Sequence, residues 1–272
     1  NNNLDFIEQP TADYVYITSV KSDINILSEL VENEADFMKN KIRALELCLI
    51  NNPSQIDYYI SKTLIKTKIV ILRIFGDRGT WNYGLEQIRI WNENNKKSQL
   101  IVLSGTEEQD ISLNELSSIN LEKSIKLSKL LRTGGKENFL KFLNCLKYIS
   151  SNCDKIPDEF LRIKSYSDPY AYDWKEEKGI KVGVISYRSL YLANEVELTD
   201  KLNFYLRKFG ISPRTFFVST LKKIEIQQEL LRVYKNENIK LLITTTSFDS
   251  TIKNNEGISN FNLFEELGIP VI

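Results

Sequence analysis

Residues 69–74 read IVILRI, five aliphatic side chains and one arginine in an unbroken row. A run with no polar side to turn toward water fits a strand buried on both faces, as in a parallel sheet. The run gives way at Gly76 to a polar, aromatic turn, and Leu85, Ile88 and Trp91 then recur at helical spacing. Strand, loop and helix in that order predict an α/β fold, in which ligands bind at the loops following the carboxyl ends of strands. The loop and the helix start carry Asp77, Arg78, Trp81, Tyr83 and Glu86, so charge and ring surface converge within a short stretch. Two readings stand: the rings cover the sheet end, or the loop holds a ligand.

The same rhythm runs through the rest of the chain. Residues 14–20 (YVYITSV) predict a first strand, being rich in β-branched and aromatic residues. Ser22 or Asp23 then caps a long helix expected over 24–50, with Ile26, Leu27, Leu30, Val31, Met38, Ile42, Leu45 and Leu49 at helix-like intervals. Pro53 and Ser54 open a helix reaching Ile65, a further helix covers 83–93, and 99–103 is a strand. Residues 113–149 read as helix with a break at Thr133-Gly134-Gly135, and 151–178, with Pro157, Ser165, Ser167 and Pro169, reads as a linker. A second unit begins at Ile180: strand 180–186, helix 195–209 stopped by Gly210 and Pro213, strand 214–219, helix 224–234 and strand 240–246. The expectation is two Rossmann-like, mostly parallel α/β domains, at 1–150 with helical insertions and at 179–272. The chain opens on Asn1 and closes on the strand-like GIPVI of 268–272, so it reads as a piece of a longer polypeptide, truncated in its second domain.

Absences narrow the chemistry. None of the 272 residues is histidine, so imidazole zinc sites, Ser-His-Asp triads and Cys-His dyads have no candidates here. Cys48, Cys145 and Cys153 form an odd set without CxxC spacing, which fits reduced thiols in the cytoplasm. Gly134-Gly135-Lys136 lacks the earlier glycine and following hydroxyl of a phosphate-binding GxxxxGK[ST] loop. Lys plus Arg equals Asp plus Glu at 36 each, so no net field favours nucleic acid or a membrane surface as partner. No apolar run approaches the roughly 20 residues that span a bilayer.

Three loops at predicted strand ends hold groups suited to an anionic or aromatic ligand: residues 77–86, Ser186-Tyr187-Arg188, and Thr244-Thr245-Thr246-Ser247-Phe248. Arg78 and Arg188 are the ligand-holding candidates, since a planar guanidinium fixes the orientation of a carboxylate. The alternative for each is a local acid, such as Asp77 or Glu86. Gly134-Gly135 is either a helix–helix corner or a phosphate nest, and Glu107 to Asp110 is either a solvated loop or a cation site. Trp174, beside Tyr170 and Tyr172, is expected to plug the space between domains.

Taken together, RIFGDRGTWNYGLEQ (73–87) resembles a signature near the N-terminus of cobaltochelatase large subunits, the CobN and magnesium-chelatase H family. Asp77 stands where that signature often has a second glycine. LLRTGGKENFLKFLNCL (130–146), IKVGVISYRSLYLANEVELTDKL (180–202) and KLLITTTSF (240–248) follow in the family's order, and the WNYGLE turn and RTGGKEN corner resemble the cobalt branch. The resemblance implies a subunit several times longer that binds a tetrapyrrole, with cobalt, or magnesium in the sister branch, as substrate metal. It implies that ATP is used by separate AAA+ ATPase subunits, that this segment binds no cofactor of its own, and that it is inactive alone. Arg78, Trp81, Tyr83, Glu86, Tyr187 and Arg188 would then hold ring carboxylates or stack on the macrocycle. Catalytic residues and metal ligands stay unassigned. A two-domain small-ligand receptor, or a scaffold for the ATPase partners, are the competing expectations.

Overall fold

The computed structural model describes residues 5–77, 79–106, 109–151, 153, 155–246 and 261–272, and the backbone alone of 253–254 and 257–258. The chain divides into two compact units, Asn1–Lys164 and Ser165–Ile272. Each is an α/β unit built on a largely parallel sheet.

In the first unit β1 (Tyr14–Thr18) is flanked by β2 (Ile42–Glu46) and β3 (Ile69–Ile74), with β4 (Gln99–Ser104) outside β3, all parallel. Every residue of β1 and β3 is buried, as the aliphatic run requires. Alternate residues divide between the two faces. Val15, Ile17, Val70, Leu72 and Ile74 face a core that holds Tyr59 of α2 (Pro53–Thr63) and Leu85, Ile88 and Trp91 of α3 (Asn82–Asn94). On the other face Tyr16 meets Phe139 and Phe142 of α6 (Lys136–Ser150), near α1 (Lys21–Asn33) and α5 (Leu121–Thr133). Each fully buried aliphatic side chain stabilises by about 1.5–3 kcal/mol, so these two faces carry most of the unit's stability. The short α4 (Ile111–Asn114) follows β4.

The helix expected over 24–50 is corrected by the structure. Helix α1 ends at Asn33, Asn40 takes a left-handed φ of 62°, and the chain then enters β2 beside β1. Asn accepts that conformation more readily than most residues because its side chain bonds locally. Leu45 within β2 and Leu47 just after it are buried while Leu49 is 47% exposed, so these residues do not line the single helical face the sequence suggested.

In the second unit the sheet order is β5 (Tyr170–Tyr172), β7 (Ile211–Val218), β6 (Ile180–Tyr187), β8 (Leu242–Thr244). Only β5 is antiparallel. It lies in the stretch read as a linker, which also contains α7 (Asp158–Leu161) of the first unit. Helix α8 (Arg188–Leu192) follows β6 directly, α9 (Glu197–Lys208) leads to β7, and α10 (Ile224–Asn236) leads to β8. Pro213 sits inside β7, not before it. It is tolerated because β5 pairs only with 215–217, leaving no neighbour on that side at 213. A small antiparallel pair, β9 (Lys253–Asn254) and β10 (Gly257–Ile258), precedes α11 (Leu263–Leu267). The last residues pair with β8: Thr244 N–H donates to Ile272 O and Ile272 N–H to Leu242 O. Val271 and Ile272 are 38% and 68% exposed.

Candidate functional site

Strand order reverses between β1 and β3 in the first unit and between β6 and β8 in the second, and the carboxyl ends at those points are where α/β sheets place ligands. In the first unit this position lies over a buried polar network. Asp23 accepts from the Tyr16 hydroxyl at 2.6 Å, the Thr18 hydroxyl at 3.0 Å and Arg73 Nη1 at 2.5 Å. Arg73 also donates to the Ser104 and Leu131 carbonyls. Burial disfavours the guanidinium charge, and Asp23 beside it outweighs that and leaves Arg73 more basic than usual. Burial, reinforced by Asp23, drives the Tyr16 phenol well above its ordinary value. The partners of Arg73, Asp23 50 residues before it and Leu131 58 after it, are not visible in the sequence.

The loop after β3 separates its aromatic residues. Gly76, at φ 111°, turns the chain, and Asp77 Oδ1 accepts from the Gly79 N–H at 2.8 Å. Arg78 lies outside the described residues. Trp81 is 5% exposed in the core, with its indole N–H on the Ile50 carbonyl at 3.1 Å. Its expected stacking role is therefore corrected to core packing, because the large apolar ring gains more from burial beside the sheet than from water. Tyr83 is 37% exposed and donates to Asp57 of α2, a bond that raises its pKa. Glu86 is exposed on α3. Ring stacking and cationic donors are not gathered at one place by the described part of this loop.

The second unit's carboxyl edge does gather polar groups. The Ser186 hydroxyl, at the end of β6, lies 2.6 Å from that of Thr245 and 3.4 Å from that of Thr199 on α9. The Thr244 and Thr246 hydroxyls are 2.7 Å apart. Tyr187 is half-buried, and Arg188, buried at the start of α8, places Nη1 3.4 Å from Asp168 Oδ2. Asp168 also accepts the Ser219 N–H at 3.1 Å and the Ser219 hydroxyl. Arg188 thus has an acidic partner, and it is neither Asp77 nor Glu86. Asp168, Ser219 and Thr199 escaped sequence reasoning, since Asp168 and its partner Ser219 lie 51 residues apart and Thr199 sits on a different element from Ser186. Ser247 and Phe248 lie outside the described residues. Arranged this way, hydroxyls and a guanidinium can bind and orient an anionic group.

Other candidates resolve simply. Gly134 and Gly135, at φ 77° and 83°, form a helix–helix corner, with Asn138 holding the Gly134 and Lys164 carbonyls and Lys136 paired to Glu29. Asp110 caps α4, while Glu107 and Glu108 lie outside the described residues. Among the described residues no group of three His, Cys, Asp or Glu could hold a metal, and no helix is long and apolar enough to cross a membrane. Trp174 packs inside the second unit, donating to the Thr215 carbonyl at 2.8 Å and meeting Phe216 edge-on.

Comparison with known proteins then places the chain. The family described as CobN/Magnesium Chelatase matches residues 128–272, which include the whole second unit. The aerobic cobaltochelatase subunit CobN of Pseudomonas aeruginosa is 22% identical over 253 residues, covering 89% of this chain and 20% of that protein. The chain therefore spans about a fifth of the length of the curated relative it matches. The catalytic subunit of cobaltochelatase from Mycobacterium tuberculosis superposes with a TM-score of 0.50 at 15% identity, over 88% of this chain and 18% of that one, a likeness of fold. With more than half of its residues matched, the chain belongs to the CobN/magnesium chelatase family.

Proposed function

We propose that this chain is the N-terminal part of the large, tetrapyrrole-binding subunit of an ATP-dependent chelatase. The reaction is insertion of cobalt into a corrin-ring precursor, with formation of nitrogen–metal bonds, in the cytoplasm. The observation that carries the reading is the polar carboxyl edge of the second unit, where Tyr187, Arg188 and the 244–246 hydroxyls lie within the family-matched segment. A guanidinium and several hydroxyls suit ring carboxylates, and a guanidinium–carboxylate contact contributes about 1.5–3 kcal/mol where water is partly excluded. Arg78, Tyr83 and Glu86 are the first unit's proposed contributions, while Trp81 lies in the core. The chain lacks a phosphate-binding GxxxxGK[ST] loop, which fits the assignment of ATP hydrolysis to separate AAA+ subunits. Cobalt is substrate here, not a resident cofactor.

The test is metal insertion by the longer subunit that contains this chain, assayed with its ATPase partners. Cobalt with a corrin precursor is expected to turn over, and magnesium with protoporphyrin is not. The reverse preference would move the protein to the magnesium branch. Failure with both would end the chelatase reading.

A further inference from the structure

The segment leading into β5 grips α8 at both ends. At one end Asp168 lies 3.4 Å from Arg188 Nη1 and is itself fixed by the Ser219 N–H and hydroxyl at the end of β7. At the other, the Tyr170 ring stacks on Tyr191 with centroids 4.2 Å apart, and Tyr191 stacks on Phe217 of β7 at 5.5 Å. The hydrogen bond with Tyr170, with burial, pushes the Tyr191 phenol up to about 12, so it stays neutral near pH 7. The side chains of Arg188 and Asp168 are 9% and 15% exposed. With water largely excluded, the carboxylate strongly biases the direction of the guanidinium.

We propose that Asp168 is a positioning residue, which aims Arg188 at the carboxyl edge of β6 so that its planar fork meets a ligand carboxylate. This rests on the reading of Arg188 as a ring-holding group and adds to it the residue that sets its geometry. Asp168 acts only through Arg188. A fork contact depends on alignment, so a misdirected guanidinium loses its preference for carboxylate over ester before it loses general affinity for the ring.

The test titrates the longer subunit that contains this chain with a corrin-ring precursor carrying free carboxylates and with its methyl ester, followed by tryptophan quenching. Wild type is expected to favour the free acid, and Arg188→Gln to bring the two affinities together. Asp168→Asn keeps an oxygen for the Ser219 N–H but removes the charge facing Arg188. It is expected to weaken binding of the acid about tenfold, the loss of one charge-assisted contact, and to leave the ester unchanged. Asp168→Glu should recover part of the preference.

Equal losses for acid and ester in Asp168→Asn would show a merely structural residue and overturn the proposal. So would an unchanged preference in Asp168→Asn beside a lost one in Arg188→Gln. If Arg188→Gln leaves the preference intact, the reading of Arg188 itself fails. Should Asp168→Asn fail to fold, Ser219→Ala keeps the carboxylate and removes one anchor; an intermediate loss of preference is expected, and none would overturn the proposal.

Discussion

Gly84 and Trp81 illustrate how closely the WNYGLE turn is packed. A Cβ placed on Gly84 would fall 2.3 Å from Trp81 Cε2, and the indole cannot easily retreat because its N–H is bonded to the Ile50 carbonyl. Gly84→Ala is therefore expected to destabilise the first unit by about 1–3 kcal/mol, the usual cost of overpacking a core. Urea unfolding in a Trp174→Phe background reads this directly, since Trp81 and Trp91 then report only the first unit. No change in the transition midpoint would mean that the ring is not held as described. The turn's residue types were legible, but their division was not. Sequence offers Trp81 and Tyr83 as two rings in one loop, whereas the start of α3 sends one into the core and the other to Asp57.

Among elements, the join of β6, β7 and α10 depends on one carboxylate. Glu237, just past α10, accepts from Lys181 of β6 at 2.8 Å and Arg214 of β7 at 2.6 Å. The bonds from Lys181 and then Arg214 hold its pKa below the ordinary 4.5. A carboxyl more acidic when folded than when unfolded stabilises fully above the unfolded value, and loses that contribution as pH falls through the folded one. Glu237→Gln is expected to cost about 1–2 kcal/mol near neutral pH, with the gap from wild type closing in the acid range. Melting curves across that range check it; a gap independent of pH would remove the ion pairs from the account. Elements with strong local signals, such as the buried run of β3 or the helix α2 opened by Pro53 and Ser54, were readable in advance. Strand β2 was not. Its apolar residues fit helical spacing as well, and only pairing with β1, a contact distant in sequence, decides between the two.

At the scale of the whole molecule, the two-unit α/β architecture follows from alternating strands and helices, and the candidate loops do fall at strand ends. What the sequence hid is which loop is equipped. Arg188 stood out as a cation after a strand, but Asp168, 3.4 Å from it, and Ser219, which bonds Asp168, are brought there only by folding. The central claim is that this chain holds the ring, and titrating the 272-residue chain with a corrin-ring precursor while following tryptophan fluorescence tests it most directly. If this chain holds the ring, saturable, one-to-one quenching that Arg188→Gln weakens is expected. Quenching that rises without saturation and is the same in wild type and Arg188→Gln would contradict it.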